Sequence, residues 1–192
     1  MEIRVEDNKV FIDGYVNAVE RKSKPLKSRS GTVFVERICK GAFKRALEAN
    51  QDVRILANHD WQRDLGGTGT GEIKLAEDNI GLRVEAVLSD SEVVEKARSG
   101  ELSGWSFGFS EIDAQETLEN GVTTRDVKDL FLYEISLLYW KIPAYDGTLV
   151  SVRSNGREMF YSLPQNCEER IVDYSKAEKI VKEITELVKG GK

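Results

Sequence analysis

Apolar and polar residues alternate with a period of two through the first three quarters of this 192-residue chain. In the stretch SGWSFGFS, residues 103–110, three aromatic residues alternate with serine and glycine. Such alternation is typical of a β-strand with one buried face. The pattern predicts a mostly β (α+β) fold with strands at 2–5, 10–19, 32–35, 52–57, 72–75, 82–88, 103–110, 122–127, 130–140 and 149–153.

Helical spacing occurs in three segments. Residues 41–49 and 91–99 predict two short helices, the second capped by Asp90 or Ser91 and ended by Gly100. In the third segment, 174–188, apolar side chains recur at helical spacing among Lys and Glu. We therefore expect a main domain at 1–153 and a C-terminal extension at 154–192 with an amphipathic helix. That helix has two open interpretations, which are packing on the main domain and binding a second copy or a scaffold protein.

Composition excludes several classes of function. The net charge of −5 and the isoelectric point near 5.2 argue against binding to a phosphate backbone, so no nucleic-acid partner is expected. No apolar run is long enough to cross a bilayer and the N-terminus lacks a secretory signal, so we expect a cytosolic protein without a membrane partner. Cys39 and Cys167 are too few and too far apart to suggest a metal site or a disulfide framework.

Two segments between the predicted strands lack clear periodicity. Residues 21–31 are basic and serine-rich and predict a mobile loop, with contact to an acidic partner or an internal cleavage site as alternatives. The glycine-rich residues 66–71 lack the Lys and Ser/Thr that complete a phosphate-binding loop. They favour a bulged or sharply bent strand.

Residues 104–108 match the pattern G-x-S-x-G, which also describes the nucleophile elbow of α/β-hydrolases. An elbow turns from a strand into a helix, and its histidine follows its serine in the chain. No helical spacing follows Ser106, and the one histidine, His59, precedes it. The chain is therefore not an α/β-hydrolase of this kind.

Ser106 is still a candidate nucleophile, and His59 is the candidate base. A serine hydroxyl becomes reactive when a neighbouring base takes its proton, and an imidazole suits that role near neutral pH. Gly104 and Gly108 leave room for a substrate carbonyl beside the serine. In the alternative interpretation, Ser106 lines the interior of a small barrel and His59 is a turn residue bonded to Asp60. The residue types alone leave both open.

Several short motifs, taken in order over residues 10–152, resemble the prohead proteases of tailed bacteriophages, which are related in fold to herpesvirus assemblins. The motifs are DGYV at 13–16, KGAF at 40–43, LANHD at 56–60, LGGT at 65–68, EDNIGL at 77–82, GELSGWSFGF at 100–109, LYEIS at 132–136 and IPAY at 142–145. The chain departs from the family's pattern at Cys39-Lys40, where the family tends to have proline before the glycine, and the tail from Ser154 lies outside the resemblance.

The resemblance implies a fold and a set of catalytic residues. The fold would be an assemblin-like, closed antiparallel β-barrel surrounded by short helices. His59 of the NHD stretch would be the general base and Ser106 of SFGF the nucleophile. Glu134 of the EIS stretch would be the third member, about where assemblins carry a second histidine, with Asp60 and Asp129 as alternatives.

The resemblance also implies a function, which is that of a serine endopeptidase of capsid maturation without a cofactor or metal. Its substrates would be the scaffolding segment of the major capsid protein, separate scaffold and the protease itself. It would act in the host cytoplasm, inside the assembling procapsid, as a homodimer or higher oligomer. A non-catalytic, scaffold-binding capsid component and a small-molecule esterase are the alternatives.

Overall fold

The computed structural model describes residues 2–28, 31–71, 73–140, 144–145, 151–154 and 157–159. Their strands are β1 (Glu2–Glu6), β2 (Lys9–Ala18), β3 (Leu26–Lys27), β4 (Val33–Ile38), β5 (Arg54–Ala57), β6 (Asp60–Gly67), β7 (Ile73–Glu77), β8 (Gly81–Leu88), β9 (Leu102–Glu119), β10 (Val122–Tyr139), β11 (Ser151–Ser154) and β12 (Arg157–Met159). Their helices are α1 (Ala42–Ala49) and α2 (Ser91–Ser99), with a 3₁₀ turn at Thr68–Thr70. Neither α-helix in these ranges is long and apolar enough to span a membrane.

The strands form two open sheets, so the mostly β fold is confirmed and the closed antiparallel barrel is wrong. The first sheet has the order β12-β11-β1-β2-β8-β7, and the second has the order β3-β4-β10-β5-β6 with β9 also paired to β10. Several pairs are parallel, namely β1 with β11 and β10 with both β4 and β5. Alternation indicates which face of a strand is buried. It contains no information on whether the outermost strands pair, which is what closure requires.

Local signals in the sequence locate the first hairpin and both helices well. The strands predicted at 2–5 and 10–19 form the β1–β2 hairpin, and those predicted at 72–75 and 82–88 form the β7–β8 hairpin. The Asp90 side chain accepts a hydrogen bond from Val93 N at 3.0 Å, and Gly100 ends α2 in a left-handed conformation with φ of 73°. The predicted helix at 174–188 lies outside the described residues, and the domain division at 153/154 stays a prediction.

Strand pairing makes two other segments differ from the prediction. The expected loop at 21–31 contains β3, and Ser23 N donates to the backbone oxygen of Glu36 at 2.7 Å. The segment from Asp60 to Gly67 is a strand, β6, and its ladder with β5 has two register shifts. The bulged strand predicted for the glycines is therefore correct for Gly66 and Gly67, although β6 begins six residues earlier.

Both sheets and both helices contribute to one cluster of buried apolar side chains. Phe43 of α1 meets Phe107 of β9 edge to face, with ring centroids 5.3 Å apart. Trp105, which is 1% exposed, lies in the same cluster. One face of the β9–β10 pair is thus held in the core, and the other face is available for a site.

Candidate active site

Strand β10 changes phase at a β-bulge just before Glu134. Leu132 pairs with Phe109 and Glu134 pairs with Gly108, which leaves Tyr133 as an extra residue in the ladder. Before the bulge Leu132 points into the core cluster, and after it Ile135 does so. An extra residue moves every following side chain to the opposite face. The bulge therefore turns Glu134 away from the core, and Ser136 with it.

Strand β9 presents Ser106 on that same face. Ser106 pairs directly with Ser136 in the antiparallel ladder, and such partners point the same way with Cβ atoms about 5 Å apart. The residues two positions away on either side, Gly104 and Gly108, share this face and have no side chains. The neighbours Trp105 and Phe107 point into the core. On this face of β9, Ser106 therefore has no side chain beside it at the next position in either direction along the strand.

The turn between β5 and β6 brings His59 to this face. Ala57 pairs with Asp60, and the two residues between them have positive φ, 55° at Asn58 and 63° at His59. These values match a two-residue type I′ hairpin turn, and Asn and His tolerate this conformation better than most residues. Asn58 N donates to the Leu137 oxygen at 3.0 Å, and Tyr139 N donates to Asn58 Oδ1 at 3.2 Å. The turn is thereby fastened to β10.

His59 and Glu134 are joined by a short side-chain contact. His59 Nδ1 lies 2.6 Å from Glu134 Oε1, and the two side chains are 7% and 0% exposed. Ser136 Oγ donates to the other carboxylate oxygen, Oε2, at 2.7 Å and accepts from His59 N at 2.9 Å. A buried carboxylate is costly unless it is hydrogen-bonded, and here each oxygen has a partner.

The structure brings the three predicted residues to one face of the β9–β10 pair. The carboxylate on His59 is that of Glu134, whereas Asp60 Oδ1 accepts from Gln62 N at 2.9 Å and Asp129 Oδ1 accepts from Arg45 Nε at 3.4 Å. Within the described residues, no three His, Cys, Asp or Glu side chains are grouped as metal ligands. The arrangement can hold one imidazole tautomer beside a serine, which is the chemistry of acyl transfer.

A buried acid and a tyrosine support β9 from the core side. Tyr145 OH donates to Glu36 Oε1 at 2.7 Å, and the Tyr145 ring lies 5.5 Å from that of Phe107, the neighbour of Ser106. Burial raises the pKa of the Glu36 carboxyl, although the Tyr145 hydrogen bond and Arg125 oppose that rise. Burial and the nearby Glu36 raise the pKa of Tyr145 well above its usual value.

Ser136 and Asn58 are two site residues that were not predicted from the sequence. A signal for Ser136 existed, because Glu134 and Ser136 are two polar residues two positions apart in an apolar run. Such spacing puts both on one face of a strand, where buried polar side chains must bond each other or a third group. The anchoring of Asn58 on β10 depends on tertiary contact and has no comparable signal.

The chain matches a known protein family over most of its length. The model of a family described as caudovirus prohead serine protease matches residues 1–161, which include His59, Ser106 and Glu134. No curated protein matches the chain. The match covers most of the chain and agrees with the resemblance drawn from the motifs. We conclude that the chain belongs to the family of caudovirus prohead serine proteases.

Proposed function

We propose that this chain is the serine endopeptidase of capsid maturation, with Ser106 as nucleophile, His59 as general base and Glu134 as the residue that orients His59. The main support is the 2.6 Å contact between His59 Nδ1 and Glu134 Oε1 on the face that carries Ser106. A carboxylate in this position selects the tautomer with the proton on Nδ1. Nε2, on the other side of the ring, then has a lone pair for a serine proton.

The chemistry proceeds in two stages. In the first, Nε2 of His59 takes the Ser106 proton as Oγ attacks the scissile carbonyl carbon, and the resulting imidazolium gives that proton to the leaving amine. The acyl group is now on Ser106. In the second stage, His59 takes a proton from water as the water oxygen attacks the acyl carbonyl carbon; the bond between that carbon and Ser106 Oγ then breaks, and the imidazolium returns the proton to Oγ. Glu134 accepts the hydrogen bond of Nδ1 and stabilises each imidazolium.

The surroundings of Ser106 suit a peptide substrate. Gly104 and Gly108 leave the serine accessible along the strand direction, so an extended chain can approach its hydroxyl. Backbone N–H groups near these glycines are the candidates for holding the oxyanion. A deep apolar pocket, which a small-molecule esterase needs, is not required for this mode of binding.

Membership of the family supports capsid proteins as the substrates. We propose that the chain cleaves the scaffolding segment of the major capsid protein, separate scaffold and other copies of itself inside the procapsid of the infected cell. Confinement raises the effective concentration of enzyme and substrate to a level at which weak contacts suffice. A homodimer or higher oligomer formed under these conditions would delay cleavage until the shell has assembled.

The test is the intact mass of the cognate capsid protein after co-expression with this chain. Wild type and Ser110→Ala should trim the capsid protein, whereas Ser106→Ala and His59→Ala should leave it whole. Ser110 is the matched control because it lies on the same strand and bonds Tyr133 OH at 2.7 Å, away from His59. Full-length capsid protein with wild type, in samples that contain assembled shells, would contradict the proposal and favour the scaffold-binding alternative.

A further inference from the structure

Ser136 occupies an unusual position in the middle of β10. It is 0% exposed, and its neighbours from Leu132 to Tyr139 are almost all apolar and buried. Burying a hydroxyl costs free energy unless its hydrogen bonds are replaced. An alanine would satisfy the packing requirements of a strand here, so the hydroxyl calls for a specific reason.

The two hydrogen bonds of Ser136 go to two different parts of the proposed triad. Its one proton is donated to Glu134 Oε2 at 2.7 Å, and its oxygen accepts from His59 N at 2.9 Å. With Oε2 held by Ser136, the carboxylate plane is set so that Oε1 faces His59 Nδ1 at 2.6 Å. The Ser136 hydroxyl therefore holds both the Glu134 carboxylate, which accepts from the His59 ring, and the backbone of His59.

The backbone contact matters because His59 has a left-handed conformation, with φ of 63°. A residue with a side chain pays a conformational cost there, and surrounding contacts must compensate for it. Asn58 anchors the first residue of the turn to β10, and Ser136 anchors the second. Without the Ser136 hydroxyl, the turn would lose the hydrogen bond that ties the backbone of its second residue to β10.

We propose that Ser136 is a positioning residue that holds Glu134 and His59 in register with each other. This inference rests on the proposed function, since it assigns Ser136 a role in that triad. Ser136 acts through the two residues and has no contact with the reacting bond. Its loss should therefore lower kcat about ten- to hundredfold, the usual range for a hydrogen bond to a charged group, while KM changes little.

The experiment uses the fact that His59 is the only histidine in the chain. Nitrogen-15 labelling of histidine gives one pair of ring resonances, which report the tautomer and the Nδ1 proton without any need for turnover. We would compare Ser136→Ala, Ser136→Thr and Ser110→Ala in a Ser106→Ala background by NMR. The same three variants with Ser106 intact would be assayed for kcat and KM on a peptide that spans the cleavage site found by mass.

Ser136→Ala should broaden or shift the Nδ1 proton signal and lower kcat, and Ser136→Thr, which restores a hydroxyl, should recover part of both. Ser110→Ala should change neither. Unchanged ring signals in Ser136→Ala would overturn the inference, whatever happens to kcat. If Ser136→Ala does not fold, Ser136→Cys keeps the size with a weaker donor, and wild-type ring signals in that variant would equally overturn it. Cleavage by the Ser106→Ala protein would contradict the proposed function instead, and the ring signals would still test Ser136.

Discussion

The β9–β10 hairpin has two halves that share one antiparallel ladder and differ in their surroundings. The inner half, residues 102–110 and 130–139, lies next to β5 and is buried from Leu132 to Tyr139. The outer half, residues 111–119 and 122–129, lies next to β4 and exposes apolar side chains such as Ile112 at 62% and Leu118 at 74%. One antiparallel ladder with register shifts runs through both halves, so packing is what distinguishes the inner half.

The polar contacts of the two halves differ accordingly. In the outer half, Arg125 lies 3.3 Å from Glu116 and 3.5 Å from Glu111, and these charges are in contact with water. In the inner half, Glu134 and Ser136 are fully buried. Loss of one of their hydrogen bonds would leave a buried polar group without a partner, which costs free energy. A polar cluster is therefore preorganised where water cannot compete for its hydrogen bonds.

The largest difference between the halves should appear when one carboxylate in each is changed to an amide. Glu134→Gln should lower kcat about 10⁴-fold, because an amide neither selects the reactive tautomer nor stabilises the imidazolium. Glu116→Gln in the outer half should leave kcat unchanged. Peptide cleavage by the two purified variants is the measurement. If the activity of Glu134→Gln were within tenfold of wild type, Glu134 would not be the third member of the triad, and Asp60 would be the alternative.

A matched pair of isoleucines tests packing in the two halves. Ile135 is 0% exposed and Ile112 is 62% exposed. Ile135→Ala should lower the free energy of unfolding by about 2–5 kcal/mol, since it leaves a cavity in the core. Ile112→Ala should change it by less than about 0.5 kcal/mol. Urea unfolding of both variants measures this, and similar losses would show that the outer half is covered in solution.

Glu36 lies on β4 beside the outer half, where it pairs with Arg125, and it accepts a hydrogen bond from Tyr145. Its pKa is raised by burial, so the folded state binds its proton more tightly than the unfolded state. The stability from this group is complete below the unfolded pKa of about 4.3 and declines as pH rises through the raised pKa. Glutamine does not titrate, so the unfolding temperature of Glu36→Gln should rise relative to that of wild type as the pH increases above the unfolded pKa of glutamate.

Glu119 in the outer half is the control with the opposite sign. Its pKa is lowered, chiefly by the hydrogen bond from Lys22 at 2.5 Å, so its contribution is present above the unfolded pKa and is lost as pH falls. Glu119→Gln should therefore be slightly less stable than wild type at neutral pH, as measured by its unfolding temperature. A Glu36→Gln protein that loses stability relative to wild type as pH rises would show that the ionised carboxylate is favoured there by Arg125 and Tyr145.

The difference between the halves also explains which parts of the fold could be predicted from the sequence. Alternation at Trp105, Phe107 and Phe109 is a local property, and it correctly indicated a strand with one buried face. Two strands were predicted at 122–127 and 130–140, whereas the structure has one 18-residue strand with register shifts between them. A bulge keeps a ladder continuous while it interrupts the alternation, so periodicity alone separates the two segments.

The candidate site residues could be predicted from the sequence, whereas the contacts between them could be seen only in the structure. His59, Ser106 and Glu134 came from motifs in a particular order, and their catalytic roles remain predictions. Their common face depends on the bulge at Tyr133 and on the turn at Asn58, and both are consequences of strand pairing over many residues. Ser136 could have been predicted from its spacing, because a serine two residues from a glutamate in a strand lies on the same face of that strand.

The smallest expected effect concerns the Arg125 ion pairs, and it tests whether the outer half depends on charge at all. Exposed ion pairs contribute about 0.2–1 kcal/mol and are screened by salt. Arg125→Met keeps much of the packing on Phe34, whose ring centroid lies 4.7 Å from the guanidinium carbon, and removes the charge. The variant should be slightly less stable than wild type in low salt, and the gap should close in 1 M salt as screening becomes nearly complete. A gap that persists in high salt would mean that the buried Glu36, 3.9 Å from Arg125, needs this cation, since a buried pair is screened far less than an exposed one.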